Sequence, residues 1–149
     1  MNYAAADFIP HRDRMKLIGD IIEIDDAHCV TQSLATTLWP LCDGSRINSI
    51  IVVELVAQTA SAFVGWKKRA EQKDAGAGVI VGIKKAVISV PFIPVGTSLK
   101  TSCRMLVNLH DQYAEFEGEV IGDGTNFGFV HLQTFSAQAL LSGGNTAVS

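Results

Sequence analysis

Cysteine is scarce in this sequence and does not come in pairs. The three cysteines, Cys29, Cys42 and Cys103, are odd in number and widely spaced, a pattern that indicates neither a disulfide framework nor a C-x-x-C metal site. The opening residues, MNYAAADFIPHRDRMK, lack the basic stretch and apolar core of a secretory signal. Both absences favour a protein of the reducing cytoplasm.

Positive charge is also in short supply. Lysine and arginine number 12 against 15 acidic residues, which gives a net charge of −3 and an isoelectric point near 5.7. This balance offers no basic surface for nucleic acid or an anionic membrane. The 4 histidines are scattered without ligand spacing, so the sequence predicts no metal and no cofactor.

One long apolar run dominates the chain and contains a carboxylate. The stretch SIIVVELVAQTASAFVGWKKR begins at Ser49 and carries Glu54, with Gln58 one helical turn later. A membrane span would place Glu54 within the bilayer at a cost of about 2.5–3.5 kcal/mol, so a buried helix is favoured and no membrane partner is expected. Asn48 or Ser49 suits the N-cap, and the closing cations suit the C-terminus. The pattern predicts a helix over residues 48–70.

The rest of the chain reads as strands, two before the helix and about four after it. In one of them the carboxylates Glu115, Glu117 and Glu119 alternate onto a single face, which predicts a solvated surface. A lone helix without a polar stripe must be wrapped by the sheet. We therefore expect an α+β hotdog fold, a mostly antiparallel sheet of five to seven strands around the helix. It forms a single domain over 1–140, with a flexible tail over 141–149.

Three segments resemble the β-hydroxyacyl-acyl-carrier-protein dehydratases of the FabA/FabZ group. FIPHRDRMKLIGDIIEID matches their P-H-R opening, VVELVAQT matches their L-E-A-M-A-Q helix, and GIKKAVISVPFIPVGTSL matches their G-I-x-x-A segment with its P-V-x-P-G turn. The segments occur in the family's order and the resemblance covers residues 8–137. Dehydration of 3-hydroxyacyl thioesters is the activity that it implies, within fatty-acid or polyene-type biosynthesis.

The chain departs from that family just before the helix. The family carries G-H-F-P-G there, whereas WPLCDGSRINS contains no histidine. A smaller subgroup, the ApeP-like proteins of aryl polyene gene clusters, resembles the chain more closely through PHRDRM, DGSR and VVELVAQ. The usual catalytic base is therefore missing from its place.

The resemblance implies roles for particular residues. Glu54 is the candidate acid, and His11 is the candidate replacement for the missing base. The helix N-terminal amides of residues 49–51 would polarise the thioester carbonyl. Gln58 would orient Glu54, and Arg46 would contact the phosphopantetheine or its carrier protein. These predicted substrate-binding residues are Ser49, Ile50, Ile51, Gln58 and Arg46. Glu54 can also be a structural carboxylate held by a neighbouring hydrogen bond.

The expected partners follow from the same resemblance and from the sheet. The substrate would be an acyl thioester on acyl carrier protein or coenzyme A. A sheet that wraps one helix leaves an exposed edge strand, so at least a homodimer is expected, or pairing with a paralogous dehydratase subunit. Two alternative functions stay open: a hotdog thioesterase that uses Glu54 alone, and a non-catalytic acyl-thioester-binding subunit that pairs with a complete dehydratase.

Overall fold

The computed structural model describes residues 2–9, 15–73 and 78–137. A single α-helix, α1 (Ile51–Ala70), lies among nine strands in this part of the chain. The strands are β1 (Tyr3–Ala4), β2 (Asp20–Ile24), β3 (His28–Leu34), β4 (Arg46–Asn48), β5 (Gly78–Ile88), β6 (Phe92–Pro94), β7 (Ser98–Leu109), β8 (Tyr113–Gly122) and β9 (Thr125–Ser136).

Seven of the strands form one antiparallel sheet, in the order β1-β2-β3-β7-β8-β9-β5. The short strands β4 and β6 pair with each other beside the start of α1. Within the described residues, β1 and β5 are therefore the two edges of the sheet, but β1 has only 2 residues whereas β5 has 11. The long free edge is β5.

The sheet curls around α1, as the sequence predicts for an α+β hotdog fold. Helix residues Val52, Leu55 and Val56 are fully buried, because side chains of β3, β7, β8 and β9 close over them. Two glycines allow this close approach. A Cβ atom on Gly118 of β8 would lie 2.9 Å from Val56 Cγ1, and one on Gly128 of β9 would lie 3.2 Å from Val52 Cγ1.

One stripe of α1 stays partly open. It begins with two adjacent residues and continues at intervals of three or four positions; its residues are half-buried, whereas most of their neighbours on the other faces are buried. The stripe consists of Val53, Glu54, Ala57, Ser61 and Val64. Glu54 therefore lies on the helix face that the sheet of its own chain does not cover.

The predicted helix is confirmed, but it begins three residues later than expected. Residues 46–48 pair with β6 as strand β4, which delays the helical turn. The residue at the N-cap is Ile50, not Asn48 or Ser49, and the Asn48 side chain instead accepts a hydrogen bond from the Ile50 N–H at 3.0 Å. No helix in the described part of the chain is long and apolar enough to cross a bilayer. The predicted tail over 141–149 lies outside the described residues.

Candidate functional site

Glu54 lies one turn into α1, where the helix emerges from the β4–β6 ribbon. Its side chain is half-buried in the open stripe, and its Oε1 accepts a hydrogen bond from Gln58 Nε2 at 3.0 Å. The four-residue spacing places both side chains on one helix face. The carboxylate is thus held by its neighbour and still reaches the space beside the helix.

Gln58 is fully buried and joins Glu54 to a second segment of the chain. Its Oε1 accepts a hydrogen bond from the Leu17 N–H at 2.9 Å. Its Nε2 donates to the Met15 carbonyl at 2.5 Å as well as to Glu54. Gln58 and Glu54 are therefore in contact, and the same amide also pairs with backbone groups of residues 15 and 17, of which the Leu17 N–H is buried and would be costly to leave unpaired.

The three backbone N–H groups that were predicted to bind substrate at the start of α1 differ in whether they already donate a hydrogen bond. The Ser49 N–H donates to the Pro91 carbonyl at 3.0 Å, and the Ile50 N–H donates to Asn48. The Ile51 N–H has no acceptor among the described residues, as is common in a first helical turn. It is the amide that remains for a ligand. The Ser49 hydroxyl is also buried without a hydrogen-bond partner in the described structure.

Arg46 lies on β4 and is fixed by two neighbours. Its Nε donates to Asp43 Oδ2 at 3.1 Å, and its guanidinium stacks 3.7 Å from the centre of the Phe92 ring. Hydrogen bonds from the backbone N–H groups of Ser45 and Arg46, and then from the Arg46 side chain, lower the pKa of Asp43 to about 2. The turn that leads into β4 is therefore held by a half-exposed ion pair, in which Asp43 balances the charge of Arg46.

The structure brings Glu54 and Gln58 into contact, and Arg46, Ser49, Ile50 and Ile51 lie on the segment that leads into the same helix. His11 lies outside the described residues. Its predicted role as the base stays a prediction. Within the described ranges, no cluster of histidine, cysteine, aspartate and glutamate side chains is suited to hold a metal ion.

A second polar cluster lies on the outer face of the sheet, and the sequence did not reveal it. Glu115 was expected to be solvated, but the residue is only 8% exposed. It accepts hydrogen bonds from the Tyr113 hydroxyl at 2.6 Å and from Lys84 Nζ at 3.0 Å, and it contacts His131 Nε2 at 2.8 Å. These partners, Tyr113 first, lower the pKa of Glu115 to about 2.

Comparison with solved structures supports the fold. The dehydratase heterocomplex ApeI:P of Xenorhabdus doucetiae aligns with a TM-score of 0.84 at 22% identity, over 94% of this chain and 96% of that chain. A hypothetical thioesterase of Streptococcus pneumoniae TIGR4, solved with coenzyme A, aligns with a TM-score of 0.62 at 12% identity, over 78% and 84%. The E. coli PaaI protein of the phenylacetic acid degradation operon aligns with a TM-score of 0.59 at 12% identity, over 77% of this chain and 80% of that chain.

A comparison with curated proteins gives no match. The family model for ApeP-like proteins, described as ApeP dehydratase, matches residues 3–142. The match spans the helix with Glu54, the strands that wrap it and the P-H-R segment. The chain belongs to the ApeP-like dehydratase family.

Proposed function

We propose that this protein is a subunit of a cytoplasmic 3-hydroxyacyl-thioester dehydratase in fatty-acid or polyene-type biosynthesis, and that Glu54 is its catalytic acid. One observation carries the proposal. The only carboxylate of α1's apolar segment is fixed by Gln58 and lies in the one stripe of the helix that the sheet leaves open. A carboxylate placed to face a ligand requires both features.

The elimination removes one water molecule from the substrate. A base takes the proton from C2, the C2–H electrons form the C2–C3 double bond, and the C3–O bond breaks. Glu54 gives its proton to the departing hydroxyl, which leaves as water. The Ile51 N–H is the donor on α1 that can polarise the thioester carbonyl and so stabilise negative charge developing on its oxygen. The base is His11 or a histidine of a second subunit.

A second hotdog subunit completes this proposal. The edge strand β5 exposes a row of large apolar side chains, and the described residues cover the open stripe of α1 only in part. A partner strand that pairs with β5 would cover both. The X. doucetiae structure carries the name of a dehydratase heterocomplex, which favours a paralogous partner over a second copy. The acyl group would arrive on acyl carrier protein or coenzyme A, and the S. pneumoniae structure with coenzyme A supports a thioester ligand in this fold.

Replacement of the carboxylate tests the assignment. Glu54→Gln should leave the fold intact and lower formation of enoyl thioester at least ~10²-fold, because a positioned acid contributes about that much. The matched control is Glu23→Gln, since the Glu23 side chain is 65% exposed on β2. Both variants are assayed on a 3-hydroxyacyl pantetheine thioester, with the chain alone and with its co-expressed hotdog partner. Retained activity in Glu54→Gln would refute the role of acid.

The products separate the remaining alternatives. Release of free thiol without enoyl product would identify a thioesterase, for which the carboxylate activates water or attacks the thioester carbonyl. A non-catalytic subunit is favoured by the absence of histidine from residues 39–49, just before α1, and would leave the partner's activity insensitive to Glu54→Gln. Loss of activity in His11→Ala would support His11 as the base, whereas survival would place the base elsewhere, in the partner chain or at another position of this chain.

A further inference from the structure

A short stretch of β2 is a free edge of the sheet. Strand β1 pairs only with Asp20 and Ile21, so the following part of β2, residues 22–24, has β3 on one side and no strand on the other among the described residues. Backbone N–H and C=O groups along such an edge are a template for an additional strand. The edge of β2 therefore offers hydrogen bonds to an extended peptide.

An open groove with aromatic side chains runs beside this edge. Trp66 of α1 and Tyr3 of β1 line it together with Ile22 and Ile24. Ile24 lies opposite Cys29, which is fully buried, so the apolar side of the groove is on the inner face of the sheet. Both aromatic side chains are half-buried, so each keeps an exposed surface against which another side chain can pack.

The other side of the groove is acidic. Residues 17–27 contain four carboxylates and no basic side chain, and Asp25 lines the groove. His28, on the outer face, lies 3.2 Å from Asp25 Oδ2 and 3.4 Å from Glu23 Oε2, and even a protonated His28 leaves this end of β2 negative. No lysine or arginine among the described residues lines the groove. Arg104, which is opposite His28 on β7, is paired with a glutamate of β8.

We propose that this edge and groove bind an extended, basic segment of another protein, which joins the sheet as an additional strand beside β2. Successive side chains of a strand point to opposite faces. Alternate residues of the segment would therefore pack against Trp66 on the inner face, and the residues between them would meet Asp25 on the outer side. The recognised sequence then alternates apolar and basic residues. The inference does not depend on the proposed function, because Trp66 lies about 18 Å from Glu54 along the helix axis.

Short synthetic peptides test the inference on the full-length protein. The probe is a blocked, fluorescein-labelled peptide in which valine alternates with lysine, and its binding is measured by fluorescence polarisation at low and at high salt. We expect saturable binding that weakens as salt is added. Replacement of every lysine by glutamate should lower the affinity at least ~tenfold, because like charges would then face each other.

Methylation of the peptide backbone separates strand addition from simple charge attraction. In an extended peptide, the N–H groups of alternate residues point to opposite edges, so two isomers are compared, one N-methylated at its valines and one at its lysines. One isomer should lose affinity at least ~tenfold, because its methyl groups block the hydrogen bonds to β2. The other should bind as the unmodified peptide does.

Two protein variants assign the binding to the groove. Trp66→Leu should weaken it about three- to tenfold, because an aliphatic side chain offers less contact area than an indole. Asp25→Asn keeps the oxygen that accepts the Ala27 and His28 N–H groups, and should weaken binding about two- to fivefold. Asp43→Asn is the matched control and should change nothing, since Asp43 holds the turn before β4 in the same way but does not line the groove. Thermal unfolding checks that each variant is folded.

Several results would overturn the inference. These are polarisation that does not saturate, equal affinities of the lysine and glutamate peptides, methylated isomers that bind alike, and affinities unchanged in Trp66→Leu and Asp25→Asn. Self-association of the wild-type chain that both variants abolish would also overturn it, because the occupant would then be a second copy. Formation of enoyl thioester is measured separately, so the groove and the proposed dehydration can each fail alone.

Discussion

Two glutamates illustrate which functional side chains can be recognised from sequence. Glu54 was predicted because it interrupts an apolar helix, where a carboxylate is conspicuous. Glu115 was misread as solvated because it alternates with Glu117 and Glu119 along β8. Alternation predicts the face of a side chain but not its neighbours on adjacent strands. The pairing register that brings Glu115, Lys84 and His131 together emerges only from the folded sheet.

The Glu115 cluster should give the protein an acid-sensitive component of stability. The pKa of Glu115 in the folded state, about 2, is below its ordinary value of 4.5. The stabilisation is therefore complete above about pH 4.5 and is lost as the pH falls from 4.5 towards 2. Glu115→Gln should lower the urea midpoint at pH 7 and flatten its decline over that acid range.

Glu119→Gln is the matched control for this cluster. Glu119 lies on the same strand and face as Glu115, but its carboxylate contacts only Asn126 among the described residues, at 3.0 Å. Its urea midpoint should follow the wild-type pH profile. Parallel profiles for wild type and Glu115→Gln would contradict the assignment.

Gln58→Ala should destabilise the protein by about 1–3 kcal/mol, because it leaves the Leu17 N–H and the Met15 carbonyl without their partner. The measurement is the free energy of unfolding in urea. Gln32→Ala is the control, since Gln32 is exposed on β3. Equal losses in the two variants would show that the buried amide is not required to hold residues 15–17 against α1.

At the scale of elements, the sequence predicted most of the sheet well. The strands β2 and β3 precede the helix and the four long strands β5, β7, β8 and β9 follow it, in agreement with the two and about four strands that the sequence predicts. The short strands β4 and β6 were missed, because three residues are too few to show a period of two. The same ribbon explains the late start of α1, which no local signal in residues 48–50 indicates.

The contact of α1 with β8 should tolerate no added methyl group at Gly118. In Gly118→Ala, the new Cβ would lie 2.6 Å from the Ser102 carbonyl oxygen and 2.9 Å from Val56 Cγ1. We expect a loss of about 1–3 kcal/mol in the free energy of unfolding, because backbone must shift to relieve the overlap. Gly78→Ala is the control, since its Cβ would meet nothing within 4 Å. A loss no larger than the control's would show that the helix and sheet can separate cheaply.

At the scale of the whole molecule, the fold of a single chain shows which strand is the exposed edge of the sheet, but not which strand pairs with it. Six large apolar side chains of β5 are exposed by 37–49%. They are Val79, Ile80, Val81, Ile83, Val87 and Ile88. Neither the sequence nor the fold of one chain specifies which strand covers them, because that choice depends on a surface elsewhere.

A charged side chain introduced on β5 should therefore prevent the chain from forming a dimer or larger assembly. We expect the wild-type protein to sediment as a dimer or larger assembly at micromolar concentration, and Ile83→Lys to sediment as a monomer, since an unpaired ammonium would be buried at the joint. Ile121→Lys is the control, as Ile121 is comparably exposed on β8, away from the edge. A monomeric wild type, alone and with its co-expressed partner, would contradict the prediction.

The two bulges in β5 have a consequence for how the protein must be made. The register of β5 against β9 shifts between Ile80 and Gly82 and again between Ile83 and Lys85, and such shifts bend and twist a strand. A doubly bent edge fits only a strand with matching bends, so a newly synthesised chain cannot shield β5 with an arbitrary neighbour. On the proposed pairing with a paralogous subunit, the yield of folded protein should track the dosage of the partner's gene, and surplus chains should be cleared by proteolysis or collect as aggregates.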